Sequence, residues 1–355
     1  PELLEPIADD RPLAKIDDFP LDYRSLISCA WGKPSTAFGE GFSHYDGPLR
    51  SPRLPGPPYH FMTRIVALEG EMASMKKGGY VEALYDIPED EWYFGDNGSR
   101  TMPFCVLMEI ALQPCGWLAS YTLGKDYADS DLLFRNLDGT GTQHREIVSG
   151  DGTLKTSATL TSISQIGELI IENFDVECTI GDEIVYTMKT VFGFFPPDAM
   201  ANQKGLKITD HEREIFDRPS NSEIDLRSCP APYFDHPTAH LPDSKLLMVD
   251  RITFLDPDGG EASVGSIRGE KDVDITEWFF KAHFFQDPVQ PGSLGIEAML
   301  QVMQTLMLSQ GLHVGFVKPR FEPIMIEGET EWHYRGQITP DKTLITIDFE
   351  CVERH

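Results

Sequence analysis

The stretch Trp278-Phe-Phe-Lys-Ala-His283-Phe-Phe-Gln-Asp-Pro288-Val-Gln-Pro291-Gly292-Ser293-Leu-Gly-Ile-Glu297-Ala-Met-Leu-Gln301 decides how this chain is read. A histidine comes first, then Pro291-Gly292, then an apolar run that carries one acid, Glu297. From Leu294 to Ser309 apolar residues fall on nearly every side of a helix, so this helix has to be enclosed, and Gly311 is placed to cap it. An acid on such a helix is costly unless it is paired or used. Met299, Met303 and Met307 read as core, with a share in lining any tunnel beside the helix.

Working outward, the same landmarks recur upstream. Arg64-Ile65, Trp92-Tyr93-Phe94, Pro103, Glu109 and Gln113 stand 186 to 188 residues before Arg251-Ile252, Trp278-Phe279-Phe280, Pro291, Glu297 and Gln301. Near-constant offsets over such a span indicate an internal duplication at domain scale. The first copy has its own helix, from about Val106 to Leu123 and ended by Gly124, with Pro114 expected to interrupt and bend it just after Gln113. Alternation and β-branched residues predict strands at Thr156 to Ser164, Gly167 to Cys178 and Glu183 to Phe195 in the first copy. In the second they predict strands at Lys245 to Leu255, Ala262 to Ile267, Gly328 to Tyr334 and Leu344 to Cys351. One buried helix wrapped by an antiparallel sheet, twice, is the α+β architecture expected. By the first copy's pattern one more strand should follow Cys351, so either the chain is a fragment or another segment completes that sheet.

With 355 residues and 41% apolar content the chain can bury two ordinary cores. A formal charge of −27 argues against a nucleic-acid partner, which needs a basic footprint. No apolar run is long enough to span a bilayer, and the first residues have neither the basic nor the apolar region of a leader, so a cytoplasmic location is expected. Cys29, Cys105, Cys115, Cys178, Cys229 and Cys351 show no CxxC pair and read as free thiols. His211-Glu-Arg-Glu is not a HExxH motif and no cluster has zinc spacing, so no metal is expected. His60-Phe61 imitates the later His-Phe pair but reads as a strand residue.

His283-Phe, Pro288, Pro291-Gly292 and an acid fourteen residues after the histidine resemble the signature of the hot-dog-fold 3-hydroxyacyl-acyl-carrier-protein dehydratases. With the doubled plan and the first copy's Met102-Pro103-Phe-Cys-Val-Leu-Met-Glu109-Ile-Ala-Leu-Gln113, the likeness is greatest to the dehydratase region of polyunsaturated-fatty-acid synthases, over about residues 20 to 355. The resemblance implies a double hot dog whose halves form a pseudo-dimer. It divides the chain into a lead-in segment at 1–58, a first hot dog at 59–198 that bears an acid but no motif histidine, a linker at 199–243, and a second hot dog at 244–355. It also implies a cytoplasmic multidomain synthase in which no cofactor is bound and the substrate arrives on the phosphopantetheine of an acyl carrier protein. Lys281, Lys318 and Arg320 are the scarce basic groups on which an acidic carrier would be expected to dock, although they read equally well as solvated charges.

Dehydration of a 3-hydroxyacyl thioester needs a base for the C2 proton, a donor for the departing hydroxyl and a dipole for the enolate oxygen. A neutral His283 suits the first task, a buried carboxyl at Glu109 or Glu297 the second, and the backbone N–H of Gly292 at the helix start the third. Gln113 and Gln301, one turn after each acid, are placed to hold it by a hydrogen bond. The first copy has Gly95 where a histidine would stand and Phe104 in place of Gly292. In the family's two-subunit form each site is built across the interface, which implies that His283 and Gly292 work with Glu109, leaving one site per chain with no need to dimerise. The pair His283 with Glu297 stays open at this point. So do two other functions: a hot-dog thioesterase, which also carries an acid on its helix, and a non-catalytic module that binds acyl carrier protein or scaffolds a synthase.

Overall fold

The computed structural model describes residues 9–243 and 245–354. The opening of the lead-in segment, Ser244 and His355 lie outside the described residues. In the first half β1 (Arg64–Glu69), β2 (Tyr80–Asp86), α1 (Phe104–Thr122), β3 (Leu133–Gln143), β4 (Thr153–Ile166), β5 (Leu169–Ile180) and β6 (Glu183–Phe195) follow in order. The second half carries β7 (Arg251–Asp256), β8 (Ser266–Asp272), α2 (Gly292–Ser309), β9 (Glu329–His333) and β10 (Leu344–Glu350).

Period-two burial sets the strands. Leu154, Thr156, Ala158 and Leu160 of β4 point inward, as do Ile170, Phe174, Val176 and Cys178 of β5. These rows cover α1, every residue of which is buried. The helix runs on through Pro114 rather than being interrupted there. A proline removes the bond that the carbonyl four residues earlier would accept; that carbonyl, on Ile110, accepts instead from Thr156 Oγ1 at 3.4 Å.

All strand pairs are antiparallel. The larger sheet runs β9-β3-β6-β5-β4-β2-β1, and the smaller runs β10-β8-β7 before a two-residue strand, Ile224–Asp225. The duplication is visible down to irregularities: β1 and β2 shift register between Ile65 and Ala67, and β7 and β8 shift between Ile252 and Phe254. β9 pairs with β3, Glu329 opposite Thr142 through His333 opposite Asp138, which carries one sheet across both halves while α1 packs on α2. The fold is a double hot dog, two helices each laid against antiparallel sheet and joined as a pseudo-dimer. Residues ahead of β1 pack onto it, with Leu21, Leu26, Phe38, Phe42 and Leu54 buried and Phe38 set against Trp117 of α1.

The structure corrects several sequence expectations. The strand expected from Lys245 starts at Arg251, because the Leu246 carbonyl and Met248 N–H are taken by Gln301, and the one expected at Ala262 to Ile267 lies at Ser266–Asp272, because residues 257–264 are largely turn. His60 lies outside the strands, its ring nitrogens against the carbonyls of Pro55 and Met62. By pairing, β10 matches β4, so two strands of the first half, β5 and β6, and not one, lack counterparts among the described residues. Met299 is 54% exposed and Met303 and Met307 are only half-buried, where core positions were expected.

One inward position of β5 carries an acid. Glu172 is fully buried, neither carboxylate oxygen has a hydrogen-bond partner, and burial pushes its pKa from 4.5 up to about 8. Between these two values the folded chain holds a proton that the unfolded chain has released, so this residue's contribution makes stability fall as pH rises, by up to about 1.4 kcal/mol per pH unit. Glu172→Leu, of similar volume, is expected to melt higher than the wild type at pH 8 and to lose less stability between pH 5 and 8. Melting curves across that range check this, and a variant that melts lower at pH 8 would contradict it.

Candidate active site

His283 caps the short helix Trp278–Ala282, its backbone N–H donating to the Phe279 carbonyl at 2.8 Å. The loop that follows folds back so that Val289 N–H donates to the His283 carbonyl at 2.8 Å, and His283 Nδ1 lies 3.0 Å from the Val289 carbonyl. A carbonyl only accepts, so Nδ1 carries the proton and the neutral ring keeps its lone pair on Nε2. Burial is the main cause of a pKa lowered to about 3, with Arg135 adding to it against the opposing Val289 carbonyl and Asp287. The imidazole is therefore neutral at pH 7.

The two acids sit in matching harnesses. Gln113 Nε2 donates to Glu109 Oε2 at 3.3 Å and to the Tyr59 carbonyl at 2.9 Å, while its Oε1 accepts from Phe61 N–H at 2.8 Å. Gln301 Nε2 donates to Glu297 Oε1 at 2.8 Å and to the Leu246 carbonyl at 2.8 Å, while its Oε1 accepts from Met248 N–H at 2.7 Å. Each acid is then met by the opposite half. Ser293 at the start of α2 donates to Glu109 Oε1 at 2.7 Å and lies 3.0 Å from the Tyr59 hydroxyl. Cys105, at the matching place on α1, lies beside Glu297 and pulls its pKa down against the larger effect of burial. Burial raises the pKa of both acids, that of Glu109 to about 7 against the pull of Ser293 and Gln113.

What separates the two acids is space. A cavity of about 460 Å³ is lined by His283, Gly292, Glu109 and Gln113 together, and Glu297 is not among its lining residues. Its apolar arm runs along Leu112, Gly116, Phe134 and Phe192. At the counterpart of Gly292, Phe104 is buried and packs edge-on to Tyr186, and Gly95 offers no side chain. Gly292 is needed for a specific approach: a Cβ there would lie 2.5 Å from Cζ and 2.8 Å from the hydroxyl oxygen of Tyr334. Arg53, Arg135 and Arg335 also line the cavity, whereas Lys281, Lys318 and Arg320 do not. Arg320 is bound to Glu146, and Arg135 to Asp287 and Gln337. Sequence reasoning missed Tyr59, Cys105, Ser293 and Tyr334. Of these, only Ser293 and Cys105 left a trace, being 188 residues apart like the acids themselves.

A family model described as a FabA-like domain matches residues 54–189 and 241–355, and the chain belongs to that family. Over 94% of its length it is 30% identical to a polyunsaturated fatty acid synthase polypeptide of a Thraustochytrium species, of which it spans 24%, about a quarter. Similar solved structures include the dehydratase heterocomplex ApeI:P of Xenorhabdus doucetiae, with 12% identity, a TM-score of 0.30 and coverage of 46% of this chain and 92% of that one. A thioesterase of Haemophilus influenzae is another, with 14% identity, a TM-score of 0.26 and coverage of 38% and 78%. No helix among the described residues is long and apolar enough to cross a membrane.

Proposed function

We propose that the chain removes water from 3-hydroxyacyl thioesters to give trans-2-enoyl thioesters, as a dehydratase region of a fatty-acid synthase. The observation that carries this reading is the meeting, in one largely apolar cavity, of a neutral histidine with its Nε2 free and a carboxyl group whose pKa is raised to about 7. His283 Nε2 takes the C2 proton, the C2–H electrons form the C2–C3 double bond, and the C3–O bond breaks as Glu109 gives its proton to the leaving hydroxyl. The released water carries that proton, and the proton on His283 returns to Glu109 to reset the site. The N–H of Gly292, the first residue of α2 and without an intrahelical partner, points its dipole at the thioester oxygen. The acyl chain takes the arm along Leu112, Gly116, Phe134 and Phe192.

Phosphopantetheine of an acyl carrier protein is the arm that this reading supplies, and other synthase domains are its expected neighbours. Arg53, whose Nε is buried without a partner, and Arg335 stand where its phosphate would pass. Incubation with a 3-hydroxyacyl-pantetheine tests the reading. Enoyl product is expected; free acid would instead indicate a thioesterase, and no turnover a non-catalytic carrier-binding or scaffold module.

A pH dependence follows. The working state has His283 neutral, which holds above about pH 3, and Glu109 protonated, which holds below about pH 7. The value of kcat/KM should be flat from pH 5 to about 7 and then fall about tenfold per pH unit as Glu109 ionises. Initial rates from pH 5 to 9 check it, and a rate that climbs through pH 7 to 8 would contradict the assignment of Glu109 as the acid.

A further inference from the structure

We propose that Tyr334 is a further catalytic residue, whose hydroxyl donates a hydrogen bond to the thioester oxygen alongside the N–H of Gly292. The proposal rests on the dehydratase reading and extends it. Tyr334 directly follows β9, the strand that joins the two halves, and its backbone N–H donates to the Leu137 carbonyl at 2.7 Å. That anchor turns the ring into the cavity, which it lines. The hydroxyl is buried and has no hydrogen-bond partner.

A hydroxyl buried without a partner is costly to keep, and a cavity is where such a group finds a partner in a ligand. Its position says which ligand atom. The contact that a Cβ on Gly292 would make, 2.8 Å to the phenol oxygen, puts the hydroxyl beside the first turn of α2, where the thioester oxygen is bound in the proposed mechanism. Glu109 is close enough to hold the phenol's pKa further up, on top of the larger effect of burial, so the group remains a donor at any working pH. Ser293 is committed to Glu109, and Arg135 to Asp287 and Gln337, while the unpartnered Nε of Arg53 is the donor assigned above to the phosphate. Gln290 also leaves Oε1 unpartnered in the same cavity, but a carbonyl oxygen cannot donate to an enolate.

The test is Tyr334→Phe, which removes one oxygen atom and leaves the ring. With a 3-hydroxyacyl-pantetheine substrate, kcat is expected to fall by about 10²-fold with KM within about twofold and no loss of melting temperature, as when one oxyanion donor is removed. A variant that keeps the wild-type kcat overturns the proposal. A second measurement holds even where folding is affected: the same comparison with the dithioester analogue, whose sulfur accepts hydrogen bonds poorly. The wild-type advantage over Tyr334→Phe should shrink toward unity with the dithioester, and an equal advantage on both substrates overturns the assignment to the thioester oxygen. A wild-type chain that forms no enoyl product overturns the dehydratase reading and this proposal with it. A wild-type chain that dehydrates while Tyr334→Phe keeps pace overturns the tyrosine alone.

Discussion

His283→Ala is expected to slow dehydration by about 10³-fold, within the range lost when general base help is removed. The ring is held by its Nδ1 proton on the Val289 carbonyl, which leaves Nε2 as a lone pair facing the cavity, and burial keeps it neutral. No other cavity-lining histidine can take over: His333 is half-exposed and hydrogen-bonded to Asp138 at 2.7 Å. Because the side chain is tied to the protein by one neutral hydrogen bond, its removal should leave a folded protein, which melting and circular dichroism would verify. Steady-state formation of enoyl thioester measures the loss. A folded His283→Ala protein within about threefold of the wild type would remove the base from the account.

Glu109→Gln is expected to cost about 10²-fold or more, whereas Glu297→Gln should stay within about threefold of the wild type. Both acids are buried, both are held by a glutamine one turn later, and both are met by a side chain of the other half, Ser293 for Glu109 and Cys105 for Glu297. Only Glu109 shares a cavity with His283 and Gly292. Each Gln variant keeps the volume of the side chain, so melting temperature separates a chemical loss from a structural one. If His283 and Glu109 act as one unit, the double variant His283→Ala with Glu109→Gln should be little worse than the worse single, and far better than the product of the two losses. The opposite ranking of the two acids in well-folded proteins would move the site to His283 with Glu297.

Much of this was legible in the residues, for definable reasons. An acid inside an apolar helix has so few benign explanations that Glu109 and Glu297 stood out at once, and equal spacing to Gln113 and Gln301 tied each acid to its holder. Strand edges were read less well: the Pro-Asp-Gly-Gly at 257–260 signals a turn, but that turn runs on through Ala262 and Val264, where a strand was expected to have begun. The burial of Met299, Met303 and Met307 was misread for a different reason: methionines look alike at every position of an apolar helix, whichever way they face. The meeting of the two halves at Glu109 was expected from the resemblance, but the particular bond from Ser293 was not, since its local sequence does not show that its hydroxyl will meet an acid 184 residues away. Tyr334 was hidden for the same reason: a tyrosine at a strand end is ordinary until folding leaves its hydroxyl without a partner.

The central claim is that one active site is built from both halves of the duplicated chain. A crystal structure of the protein with a substrate-mimicking pantetheine crosslinked to His283 tests it most directly. The account predicts that the C3 oxygen of the probe lies within hydrogen-bond distance of Glu109, with the acyl chain along Leu112, Gly116, Phe134 and Phe192. A probe attached to His283 whose C3 oxygen instead meets Glu297 would contradict it.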